Sequence, residues 1–110
     1  MNWIELLKKE QLDTIRAESA GQPVIIFKHS TRCSISSMAK GRLDRSEPPQ
    51  NILFYYLDLI RYRDISNAIA EEFHVHHESP QVLLIKNGEC TYAESHGGIT
   101  MDDIAEQALA

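Results

Sequence analysis

Val24-Ile25-Ile26-Phe27-Lys28-His29-Ser30-Thr31-Arg32-Cys33-Ser34-Ile35-Ser36 is the stretch on which the fold turns. Its first four residues form a continuous β-branched and aromatic run, the mark of a strand buried on both faces. A polar turn follows, from His29 to Cys33. From Ser34 the pattern changes to a helix, with Ile35, Met38, Ala39 and Leu43 spaced for one apolar face. Gly21-Gln22-Pro23 separates the strand from an earlier helix over residues 9–19, and Glu47-Pro48-Pro49 stops the later one.

Further along, Ile52 to Leu57 reads as a second fully buried strand. Ile65, Ala68, Ile69 and Phe73 mark another amphipathic helix. Gln81-Val82-Leu83-Leu84-Ile85 is a third strand that opens directly after Pro80. Asn87-Gly88 is a two-residue hairpin signal, so a fourth strand returns through Thr91, Tyr92 and Ala93. Gly97-Gly98 breaks the chain, and Thr100 caps a last helix with Asp103 as its capping-box partner and Ile104, Ala105 and Ala108 facing inward. Trp3 to Leu7 fits a short strand or a first helical turn. The first two strands, joined through a helix, run parallel by a right-handed crossover, and the last two form an antiparallel hairpin. The expected class is α/β, a small mixed sheet with helices on both faces.

With 110 residues there is room for one domain, 1–110, with a core of its own. The 43% hydrophobic and 25% charged composition is that of an ordered globular chain. No apolar run approaches the about 18 residues of a membrane span. The N-terminus lacks the pattern of a secretory signal, so a cytoplasmic location is expected. A net charge of -5 disfavours nucleic acid as a partner. Between Lys28 and Arg45, however, lie five cations (Lys28, Arg32, Lys40, Arg42, Arg45) against one anion, Asp44. Such a segment either steers a small anion or is a solvated helix face.

Cys33 stands where a buried strand gives way to a helix. Backbone N–H groups and the positive end of the helix dipole favour a thiolate there, and Arg32 and Lys28 add charge nearby. The same placement is compatible with a small buried hydrophobe. Pro80 cannot donate to a strand ladder, and Ser79-Pro80 is a candidate cis bond. If the third strand is antiparallel to the first, Pro80 faces Cys33 across a groove, and Gly97-Gly98 arrives at the same end. Cys90, beyond the hairpin turn, lies roughly 15–20 Å from that groove, too far for a bridge to Cys33. His74, His76 and His77 occupy a loop whose spacing matches no rigid metal site, so no metal is expected. His29 and His96 flank the groove.

Phe27 to Cys33, Ile35-Ser36, and His77-Glu78-Ser79-Pro80-Gln81-Val82-Leu83-Leu84-Ile85-Lys86-Asn87-Gly88 resemble the monothiol bacilliredoxins of the thioredoxin superfamily. One position departs: Ser34 stands where that family has proline, which leaves the nucleophile in place and bears on the rigidity of the helix start. The resemblance implies a thioredoxin-like three-layer sandwich of four to five strands, with Trp3 to Leu6 as an edge strand. It implies that Cys33 removes bacillithiol from protein mixed disulfides, with Lys28, Thr31, Arg32, Ser34, Ser36, Ser79, Pro80 and Gly97 as substrate- and thiol-binding positions. Ser36 occupies the place of a resolving cysteine, which excludes a two-cysteine step within the motif. Bacillithiol is then a co-substrate, no cofactor is tightly bound, the protein partners are S-bacillithiolated proteins, and the chain is a monomer or weak dimer. A glutaredoxin-like deglutathionylase, an iron–sulfur binding module and a silent thioredoxin-like adaptor are the alternatives.

Overall fold

The apolar runs become strands and the amphipathic stretches helices, in the order β1 (Trp3–Glu5), α1 (Gln11–Glu18), β2 (Val24–His29), α2 (Ser34–Arg45), β3 (Leu53–Asp58), α3 (Arg63–Glu72), β4 (Gln81–Lys86), β5 (Glu89–Ser95), a 3-10 turn (His96–Gly98) and α4 (Met101–Leu109). The computed structural model describes all residues from Met1 to Ala110. The five strands make one sheet in the order β1-β3-β2-β4-β5. β3 is parallel to β1 and β2, whereas β4 is antiparallel to both β2 and β5. The α/β sandwich expected from the sequence is therefore present, and Trp3–Glu5 is an edge strand.

The pleat divides the core in two. Val24 and Ile26 of β2, Tyr55 and Leu57 of β3, and Leu83 and Ile85 of β4 meet Leu12 and Ile15 of α1 and Ile65 and Ile69 of α3. Alternate residues on the other face (Ile25, Phe27, Phe54, Val82, Leu84) meet Ala39 and Leu43 of α2 and Ile104 and Ala108 of α4. This alternation follows from side chains pointing to opposite faces at every step of a strand. All six residues of β2 are buried, as a central strand requires. β3 is less enclosed than a fully buried strand, with Leu53, Tyr56 and Asp58 half-exposed, because only the short β1 shields it at the edge.

The hairpin turn holds Asn87 at φ 52° and Gly88 at φ 79°. Positive φ at both central residues is the I′ geometry that suits the twist of paired strands. At α4 the Thr100 side chain accepts the Asp103 N–H, which satisfies one of the open donors of the helix start.

Two expectations need correction. β2 runs on through His29, so the polar turn begins only at Ser30. In α2 the inward stripe is Ser36, Ala39 and Leu43. Ile35 and Met38 are 52% and 64% exposed. They precede Ser36 and Ala39 by one residue each, which turns them about 100° away from the core.

Candidate active site

Register places the site. Lys28 of β2 pairs with Gln81 of β4, so Pro80 lies beside the end of β2, where the chain turns toward α2. The Ser79–Pro80 peptide is cis, and Pro80 itself is buried. The Pro80 carbonyl accepts the His96 N–H at 3.1 Å, which draws the 3-10 turn to the same end. Arg42 donates from α2 to the carbonyls of His96 and Ile99 and closes that side.

Cys33 is the N-cap residue of α2, extended at φ -113° and ψ 123°, and is half-exposed. Its N–H donates to the Ser30 carbonyl at 3.2 Å and its carbonyl accepts from Ser37 at 3.0 Å. Cys33 thus opens a twelve-residue helix whose first-turn backbone N–H groups lack intrahelical acceptors, although its side chain makes no cap hydrogen bond to them. Thr31, Arg32 and Ser34 are exposed around it, and Ile35 and Met38 add apolar surface on the same helix. Gly97 is exposed, with open space where a side chain would stand. The Ser79 hydroxyl is buried without a hydrogen-bond partner.

Ser36 points inward and is fully buried. Its hydroxyl oxygen accepts the Ser30 N–H at 3.0 Å and lies 2.6 Å from His29 Nδ1. The serine proton has one acceptor there, the lone pair on Nδ1. That assigns a neutral His29 with its proton on Nε2. His29 is stacked 5.7 Å from Phe27 and lies 5.6 Å from Tyr56. Burial, and then the Lys40 ammonium, push His29 below the usual histidine range, against smaller opposing effects of Asp58, Ser36 and Asp44.

The basic segment does not gather at the thiol. Lys28 is fully buried on the face opposite α2 and donates to the Ser66 carbonyl of α3 at 3.1 Å. Its ammonium also lies 3.2 Å from His77 Nδ1. With no carboxylate beside it, burial lowers the Lys28 pKa to about 8. His77 is likewise pushed down, by burial first and then by Lys28 and Arg63. Lys40 is paired with Asp44 at 2.7 Å and sits 5.6 Å from the centre of the Tyr56 ring. Arg42 is engaged with backbone carbonyls, and Arg45 is at the far end of α2. Of the five cations, only Arg32 adjoins Cys33 and is free. Lys28 and Ser36 therefore belong to the support of the site, and neither reaches its surface. Strand alternation sends Lys28 to the other side of the sheet, and the helical turn sends Ser36 inward.

Cys90 occupies the row Val24–Ile85–Cys90 across the sheet, at the start of β2 rather than its end. The length of β2, about 16 Å at 3.3 Å per residue, separates it from Cys33. Both cysteines are free. Cys90 packs against the core, and burial pushes its thiol up. His96 faces Glu78 at 3.9 Å, and His74 and His76 are exposed while His77 turns in toward Lys28. The His29–Ser36 pair and the Lys28–His77–Ser66 group are tertiary meetings of polar residues from separate elements. The only sequence signal for them was the presence of Lys28, His29, Ser36 and His77 inside two dense motif blocks.

The family model described as monothiol bacilliredoxin BrxC matches residues 4–104. A solved structure described as that of a proposed oxidoreductase with a thioredoxin fold is 33% identical, with a TM-score of 0.84, covering 97% of this chain and 93% of that one. Thioredoxins from Malassezia sympodialis and Fasciola hepatica are 18% and 15% identical, with TM-scores of 0.73 and 0.70. Coverage of this chain and the other is 99% and 92% for the first and 96% and 95% for the second.

Proposed function

Since the chain belongs to the monothiol bacilliredoxin family and has the thioredoxin fold, we propose that it removes bacillithiol from protein mixed disulfides through Cys33 alone. The observation that carries this reading is the pair of positions at the start of α2. Cys33 caps the helix half-exposed, and the residue three further on is a buried serine engaged with His29. A thiol redox protein so built has a nucleophile and no neighbouring thiol to resolve it.

In the first step the Cys33 thiolate attacks the bacillithiol sulfur of the mixed disulfide. The protein–sulfur bond breaks, and the client leaves as its thiolate. Cys33 now carries bacillithiol in a disulfide. In the second step the thiolate of another low-molecular-weight thiol attacks the bacillithiol sulfur and restores Cys33, forming a small-molecule disulfide. Electrons come from that second thiol, so no bound cofactor is required. Open backbone N–H groups at the helix start stabilise the leaving and attacking sulfur anions. In this reading Arg32, exposed beside Cys33, meets the carboxylates of bacillithiol, with Thr31, Ser34 and Gly97 around the mouth and the Ser79 backbone beside the disulfide. Ile35 and Met38 provide apolar surface for the client protein. The cytoplasm, where thiols are kept reduced, suits this chemistry. No helix is long and apolar enough to cross a membrane.

Incubation with oxidised bacillithiol, followed by intact-mass measurement, tests the proposal. The expected result is one bacillithiol adduct on the unsubstituted chain and none on Cys33→Ala. Equal reaction with oxidised glutathione would remove the preference for bacillithiol, and an adduct on Cys33→Ala would remove Cys33.

A further inference from the structure

We infer that Ser36 and His29 form a positioning pair that sets the reactivity of Cys33, so that its exchange rate follows the protonation of His29. This deepens the role proposed for Cys33 and rests on Cys33 being the reactive thiol, but not on the identity of the small thiol.

Cys33 lies in the middle of an arch from Ser30 to Ser36. The arch is fixed at both ends by one atom, the Ser36 hydroxyl oxygen, which takes the Ser30 N–H and reaches His29. The Cys33 N–H to Ser30 carbonyl bond ties the thiol residue into the same loop. His29 cannot drift, because it stacks on Phe27, packs against the tilted Tyr56 ring and is almost entirely enclosed. A hydroxyl therefore takes the place of a second thiol and holds the arch without being oxidised.

The arrangement works with a neutral imidazole. The serine proton goes to Nδ1, and the oxygen keeps its lone pairs for Ser30. Protonation puts a hydrogen on Nδ1, so the serine proton loses its only acceptor in a buried place. Three elements bring charged or titratable groups to His29. Lys40 and Asp44 come from α2, and Asp58 and Tyr56 come from β3, while its own strand adds Lys28 on the opposite face. Acid therefore loosens the arch from beneath, and Cys33, at its middle, is held less firmly. His29 acts through Ser36, not on the sulfur, and is a positioning residue.

Alkylation of Cys33 by iodoacetamide, followed by peptide mass over pH 5 to 9, reads this without any biological thiol. The unsubstituted chain is expected to lose rate with falling pH more steeply than His29→Asn does. His29→Asn keeps an acceptor where Nδ1 stood but cannot be protonated there. It is expected to retain the upper-pH rate within about twofold and to lack the additional loss at acid pH. Ser36→Ala is expected to slow alkylation by about tenfold at every pH. Superimposable profiles for the unsubstituted chain and His29→Asn would overturn the proposal, whether or not Ser36→Ala folds. Failure of the bacillithiol adduct with this pH pattern intact would count against the proposed co-substrate only.

Discussion

Replacing the buried ammonium in Lys28→Met has an effect whose pH dependence follows from the structure. Lys28 is fully enclosed, has no carboxylate partner, and is held at about 8 against an ordinary 10.5. A lysine lowered on folding binds its proton less tightly in the native state, so the native state is penalised wherever the unfolded chain is protonated. The penalty is complete below the folded value near 8 and fades as pH rises through the window to 10.5. At about 1.36 kcal/mol for each tenfold change in proton affinity, the full penalty is about 3 kcal/mol, of which about 2.5 is relieved between pH 7 and pH 10. Against this, methionine loses the bonds to Ser66 and His77, a contribution of about 1–3 kcal/mol that does not vary below pH 8. The quantity to follow is the difference in unfolding free energy between Lys28→Met and the unsubstituted chain, from urea titrations at several pH values. Groups that do not face Lys28 cancel in that difference, and His77, which burial lowers from 6.5 with or without the ammonium, stays neutral across the window. The variant's relative stability is expected to be about 2.5 kcal/mol greater at pH 7 than at pH 10. A flat difference, or one of opposite sign, would show that the ammonium is not penalised by its burial and would refute the reasoning.

Three further outcomes follow from particular residues. Met38→Glu alters an exposed side chain on α2, five residues after Cys33, so stability should change by less than about 0.5 kcal/mol. Exchange with a protein mixed disulfide should slow several-fold while exchange with a small disulfide should not, and equal slowing of both would remove the client surface. Gly88→Ala forces a side chain into φ 79° and should destabilise by about 1–2 kcal/mol; an unchanged thermal midpoint would contradict the I′ assignment. Ser36→Cys places a thiol three residues after Cys33, and mild oxidation should then give a chain lighter by two hydrogens, with peptide mapping linking Cys33 to the introduced thiol. Persistence of two free thiols there would show that the serine position cannot meet the Cys33 sulfur.

The strands were legible because their apolar runs are bounded by strong breakers, Pro23, Pro80 and Asn87-Gly88, and because a central strand needs no alternation. The parallel–antiparallel arrangement followed from the helix between β2 and β3 and the tight turn between β4 and β5. What escaped was direction. Lys28 and Arg32 are close in sequence, yet one points through the sheet and the other stands at its end. Ile35 and Met38 share the spacing of a core stripe, but the stripe that faces the sheet begins at Ser36. Hydropathy could not show this, because Ser36 is buried through its hydrogen bonds to Ser30 and His29, and those depend on β2 continuing to His29. Cys33 was legible as the candidate nucleophile from its place at a strand–helix junction, whereas the His29–Ser36 contact beneath it was a tertiary product.

The most direct test of the central claim is turnover on a bacillithiolated client protein, measured as release of the client's free thiol in the presence of reduced bacillithiol. Cys90→Ala should release it as fast as the unsubstituted chain, and Cys33→Ala should release none above the rate of bacillithiol alone. Release by Cys33→Ala at the unsubstituted rate would contradict the assignment of the reaction to that single sulfur.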